Sequence, residues 1–146
     1  MASVGEFLVA WANLPGQADL SALIADRFSP WTAGRKVLLP RVVYAVISGE
    51  SIQTLTRPSS LRRTEVQVEA QAATNLGARA VAEKLIGDPD ANDLRLDGYA
   101  GTLGGLVVQG CHLNLETEQY DEPTTSPDAV GVHRIILTFV VWHKFA

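Results

Sequence analysis

Cys111 and His112 stand side by side, and a thiol next to an imidazole is the first pair in this chain with chemistry to offer. A thiolate nucleophile needs a base within hydrogen-bond reach. The surrounding residues, Leu106 to Glu116, read as a β-strand, where neighbours point to opposite faces, so the two side chains cannot share a proton. Cys111 falls with Val107, Leu113 and Leu115 on one side of that strand, which makes it a core residue. His133 or His143 could approach it only across strands. The three histidines lack the short spacing of a metal motif, and no Asp or Glu partner sits at a fixed offset. His133 and His143 lie ten residues apart on one strand, about 33 Å at strand rise, too far to share an ion. No metal site and no cofactor site is expected.

Three further groups invite a functional reading. Gly101-Thr102-Leu103-Gly104-Gly105 resembles a phosphate loop, but it lacks the Lys-Ser/Thr ending and leads into a strand rather than a helix. It reads as a turn before Leu106. Glu116, Glu118, Asp121 and Glu122 match no calcium loop and read as a solvated acidic segment. Arg62-Arg63 opens a strand, and arginine is favoured at subunit contacts. No constellation supports an active site, and the chain is read as a non-enzyme.

The elements that position these residues follow from pattern. Val4 to Leu14 and Asp19 to Phe28 have helical apolar spacing, broken by Pro15-Gly16 and ended by Ser29-Pro30. Ser29 to Lys36 is read as a loop. Val42 to Ile47 is a strand apolar on both faces, ended by Ser48-Gly49, with a polar connection over Glu50 to Ser60. The next strand alternates cleanly. Val66, Val68, Ala70 and Ala72 face one way, and Glu65, Gln67, Glu69 and Gln71 face a wet side. Thr74 caps a helix, Asn75 to Ile86, whose stripe is Ala78, Val81, Ala82 and Leu85. Ala91 to Gly105 is rich in Asp and Gly and is the least clear region, with room for a short hairpin or an excursion. Glu118 to Gly131 reads as an acidic loop. Val132 to Lys144 is a strand of β-branched and aromatic residues, apolar on both faces at its middle. The expected fold is α+β: a four-stranded, mostly antiparallel sheet with the helices packed on one face, in the order α-α-β-β-α-β-β. One domain, 1–146, is expected.

Composition agrees with a globular chain. Of 146 residues, 47% are hydrophobic and 19% charged, and the net charge is -4. Without a dense basic run, specific nucleic-acid binding is disfavoured. One cysteine excludes an intrachain disulfide and suits a reducing compartment. No stretch approaches the roughly 20 apolar residues of a membrane span. The expectation is a soluble protein folded inside a cell.

Three segments in order resemble the tail-completion proteins of long-tailed bacteriophages, the tail terminators and tail-to-head joining proteins. The first is Leu39-Pro40-Arg41-Val42-Val43-Tyr44-Ala45-Val46-Ile47-Ser48-Gly49-Glu50, similar to the family's Pro-x-Val-x-Tyr strand ending in Ser-Gly. The second, Ser60 to Ala72 with the Ala-rich helix after it, is similar to a Leu-x-Arg-x-x-Val-Gln-Val strand and helix. The third joins Gly101 to Val108, Tyr120-Asp121-Glu122-Pro123 and the ending Leu137 to Trp142-His143. The likeness runs from Leu39 onward, with longer stretches than usual at Gly87 to Tyr99 and Thr124 to Val130.

The resemblance implies a structural virion protein, made in a bacterial cytoplasm and resident in the tail or neck. It implies a hexameric ring that stops the tail tube and docks on the head connector. DNA would pass through its axial channel without sequence-specific contacts. The expected partners are other copies of the chain, the tail tube protein and a head connector or completion protein, with no membrane. Candidate subunit or tube contacts are Arg62, Arg63, Glu65, Gln67, Glu69, Tyr120, Glu122, Trp142 and His143. The competing readings are another neck component, such as a head-completion or stopper protein, and a small Cys/His-dependent enzyme.

Overall fold

The structure, a computed structural model, describes residues 3–30, 39–53, 58–87, 95–122 and 131–145, with side chains except at 50–53, 58–60 and 145. Helix α1 is Val4–Ala12. Ser3 accepts from the Glu6 amide at 3.1 Å, and the Glu6 carboxylate returns a bond to the Ser3 amide at 2.9 Å. This capping box satisfies two otherwise orphaned donors. A short 3-10 turn, Pro15–Gln17, leads into helix α2, Ala18–Ile24. Ala25 and Asp26 then take positive φ, 48° and 60°, which reverses the chain into strand β1, Phe28–Pro30. Strands β2 (Arg41–Gln53) and β3 (Pro58–Ala72) follow, then helix α3 (Asn75–Ile86). Strands β4 (Gly101–Leu103), β5 (Leu106–Asp121) and β6 (Val132–Phe145) complete the fold.

The sheet corrects the sequence expectation. It is a six-stranded, mixed, curled sheet in the order β1-β2-β3-β6-β5-β4, not a four-stranded antiparallel one. β1 runs parallel to β2, and the remaining pairs are antiparallel. The two missed strands have three residues each, too short to show a period of two. Ser29-Pro30 reads locally as a helix stop, yet it lies in β1 because Phe28 to Pro30 register with Val42 to Tyr44. β2 and β5 also run further than their apolar cores. β2 passes Ser48-Gly49 through a register shift, and β5 continues through Glu116–Asp121 opposite Val132 to Leu137.

One sheet face carries the core. Val42, Val66, Val68, Ala70, Ile135, Leu137, Phe139, Val141 and Cys111 are fully buried there with Phe7, Leu8 and Trp11 of α1 and Val81, Ala82 and Leu85 of α3. α3 is capped by Thr74, which accepts from Gly77 at 3.0 Å. Bulges between Val108 and Gly110 and between Leu113 and Leu115 reset which residues of β5 face inward. Cys111 and Leu113 stay on the core side. Val107 and Leu115 do not: they register with Lys144 and Thr138, whose neighbours on β6 point into the core, and Leu115 is 57% exposed. A strict two-residue period cannot anticipate an inserted residue.

Candidate interaction surface

The opposite face has no helix on it among the described residues, and it sets a polar row among apolar side chains such as Val43, Val140 and Leu115. Glu69 sits at its centre, 3% exposed. Arg134 on β6 grips it with two bonds, Nη2 to Oε1 at 2.7 Å and Nε to Oε2 at 3.1 Å. Gln71 donates to Glu69 Oε2 at 2.9 Å, and Arg41 on β2 donates from Nε to Gln71 Oε1 at 2.7 Å. Arg134 also donates from Nη1 to Gln119 at 3.0 Å and to Asp121 at 3.3 Å on β5. The chain of bonds therefore runs across β2, β3, β6 and β5. Its cause is register: Arg41, Gln71, Arg134 and Gln119 occupy one row across the four strands. Expecting Glu69 and Gln71 on a wet face missed this. Two arginines from neighbouring strands lie over them, and such burial is tolerated because charge and hydrogen bonding are both satisfied.

The other expected contact residues separate into groups. Arg63, Glu65 and Trp142 stand together. Arg63 pairs with Glu65 at 3.5 Å and lies 6.0 Å from the centre of the Trp142 ring, and these side chains and Gln67 are half-exposed. Tyr120 is 52% exposed and packs on His133, with ring centres 4.6 Å apart, and Glu122 is exposed just beyond β5. Arg62 is half-buried within β3, opposite His143. His143 is on the core side and only 4% exposed, with its Nε2 2.8 Å from Thr64 Oγ1. It is thus a structural residue of the core face rather than part of the polar one. Sequence reasoning missed Arg41, Arg79 and Arg134. Arg79 on α3 ion-pairs with both Glu116 and Glu118, which explains how β5 carries two carboxylates on the helix side.

Two chemical expectations follow from burial. Burial, and after it the nearby Asp97, push the Cys111 thiol up to about 12. An ordinary cysteine titrates near 8.5, so at pH 8 native Cys111 should label with iodoacetamide at least about a hundredfold more slowly than the unfolded chain. Mass spectrometry of quenched time points measures this, and rapid native labelling would revive the Cys/His enzyme reading. Burial, and after it the Arg62 charge, push the His143 imidazole below its usual value. The unfolded chain then takes up a proton first as pH falls. Stability from this group is complete above about pH 6.5 and declines below it, by at most about 1.4 kcal/mol per pH unit. Urea midpoints at pH 7.5 and 5.5 should differ more for the native sequence than for His143→Gln.

Among the described residues no group of three or more His, Cys, Asp or Glu could hold a metal ion, and no helix is long and apolar enough to cross a membrane. The architecture defines a class by its fold: a six-stranded mixed, curled sheet with helices packed on one face among the described residues. That fold has a solved counterpart. The fold matches a chain in the virion of a native gene transfer agent particle, with a TM-score of 0.55 and 16% identity, over 92% of this chain and 91% of that one. At this identity the likeness is one of fold. No protein-family model and no curated protein sequence matches the chain.

Proposed function

We propose that this chain is a structural protein of a phage-like virion, a non-enzymatic subunit that closes the tail tube and joins it to the head connector. The observation that carries this reading is the fold shared, over nearly the whole of both chains, with a component of a gene transfer agent virion. In this reading the subunit forms a ring around the DNA path. The half-exposed group Arg63, Glu65, Gln67 and Trp142 contributes to a subunit or tube contact. An acidic or neutral hydrogen-bonding channel wall suits DNA transit, since it offers no phosphate-neutralising charge to hold the strand.

The test is incubation of the purified protein with phage tail tubes assembled from a tube protein of the same genome, followed by negative-stain electron microscopy. Density capping one tube end, and arrested tube growth, are expected. Tubes that lengthen unchanged, with no bound protein after sedimentation, would refute the role. Trp142→Ala separates contact from core. Because the ring is half-exposed, the variant should fold, yet cap tubes at least tenfold less efficiently.

A further inference from the structure

We infer that Arg27 and Arg41 form an anion site on the helix-free face, where two guanidinium forks together hold one phosphate group. This goes beyond the virion reading and does not rest on it.

Register brings the two side chains together. The Val42 amide donates to the Arg27 carbonyl at 2.9 Å, and Phe28 lies opposite Val42 in the parallel pair. Arg27 and Arg41, one residue back on each strand, are therefore neighbours as well. Phe28 turns to the core side, where it packs on Tyr44 with ring centres 5.7 Å apart. Alternation directs Arg27 to the other side, which is the side of Arg41 and Gln71. Adjacent strands lie about 4.8 Å apart, so two like charges start from neighbouring backbone positions.

The row they share contains a third arginine, and the contrast is informative. Arg134 is neutralised by Glu69 and Asp121. Among the described residues no carboxylate comes within ion-pair distance of Arg27 or Arg41, the exposed Asp26 included. Their bonds go to neutral acceptors. Arg27 donates from Nε to the Pro40 carbonyl at 2.9 Å, and Arg41 donates from Nε to Gln71 Oε1 at 2.7 Å. Both bonds use Nε, which leaves the outer nitrogens of each fork with no described acceptor. Arg41 Nη1 is out of contact with solvent and has no hydrogen-bond partner. Folded proteins leave few buried donors unmet, because each one is costly. Both side chains as a whole are half-buried, so an anion can approach them from solvent.

Charge and shape select the ligand. A phosphate group carries about −1.5 to −2 charges at neutral pH and three strong acceptor oxygens. It can thus balance two guanidiniums and accept from both. A carboxylate has one charge and two oxygens, which match a single fork. The site is also held in place. Gln71, which fixes Arg41, is itself fixed by its bond to Glu69 at 2.9 Å.

The test is equilibrium dialysis of the full chain against radiolabelled inorganic phosphate, at pH 7.5 in about 0.1 M sodium chloride, where loose surface attraction is largely screened. Saturable uptake of one phosphate per chain is expected. Arg27→Gln should weaken it at least about tenfold, and Arg63→Gln, whose cation is paired with Glu65 elsewhere on the face, should leave it unchanged. Uptake that does not saturate, or that is equal in folded Arg27→Gln, overturns the inference. If circular dichroism shows that Arg27→Gln does not fold, Arg27→Lys takes its place. It keeps the charge and loses the fork, so binding should fall at least about threefold, and undiminished binding overturns the two-fork site. A short DNA duplex added as competitor distinguishes the sources of phosphate. Displacement assigns the group to a nucleic-acid backbone, and failure to displace assigns it to free phosphate. Either result, with the Arg27→Gln loss, upholds the site.

Discussion

Glu69→Ala should lower the unfolding free energy by about 3–5 kcal/mol, because it strands a guanidinium that is set down on a buried carboxylate. Arg134 is 17% exposed at its side chain and Glu69 4%, so solvent does little to replace the lost partner. Gln71 would lose an acceptor as well, and the damage would pass to Arg41, which bonds to Gln71 in turn. Urea unfolding followed by far-ultraviolet circular dichroism measures the loss. Removing both charges should be milder than removing one. Glu69→Leu with Arg134→Met should recover most of the stability, since an apolar pair of similar volume avoids the desolvation of two ions. A single-variant loss under about 1 kcal/mol would show that the crossing bonds are a surface pair, which typically contributes no more than that.

Phe139→Ala should cost a similar amount, about 3–5 kcal/mol, by a different route. Phe139 is fully buried on the core side of β6, level with Val66 and Leu113. Its removal leaves a cavity beneath the helices that strands on both sides cannot collapse into. Trp142, three residues on, is larger but half-exposed on the polar face, so its truncation should cost clearly less. Comparing the two by thermal unfolding checks the alternation of the strand directly. A more damaging Trp142→Ala would mean that the faces are assigned the wrong way round.

Strong periodicity made the long elements legible. The alternation from Glu65 to Ala72 and the stripe of α3 each reflect one buried face, and both elements stand where the pattern puts them. The β-branched run from Val132 onward is likewise one strand. What pattern could not show was set by neighbours distant in sequence. Phe28-Ser29-Pro30 has no strand signature and acquires one only by lying against Val42 to Tyr44. Glu116 and Glu118 look like solvated carboxylates until Arg79 is brought to them from α3. Glu69 reads as solvated because nothing local announces Arg134, 65 residues later. The candidate surface was therefore legible as a face and not as a network. Cys111 was read correctly as core, while bulges placed Val107 and Leu115 on the other side from it.

The position of β6 has a consequence for how the molecule comes into being. It lies between β3 and β5, and it is made after both. Until it emerges from the ribosome, the growing chain holds two unconnected pieces, β1-β2-β3 and β5-β4, each with its innermost strand bare. Pairing of Val66 with Phe139 joins residues more than seventy positions apart, and such distant closures are slow. A nascent chain with two waiting edges is the species that holdase chaperones bind and that aggregates when they are scarce. Pairing of β6 with both β3 and β5 is therefore what closes the sheet. It joins the two pieces into one sheet.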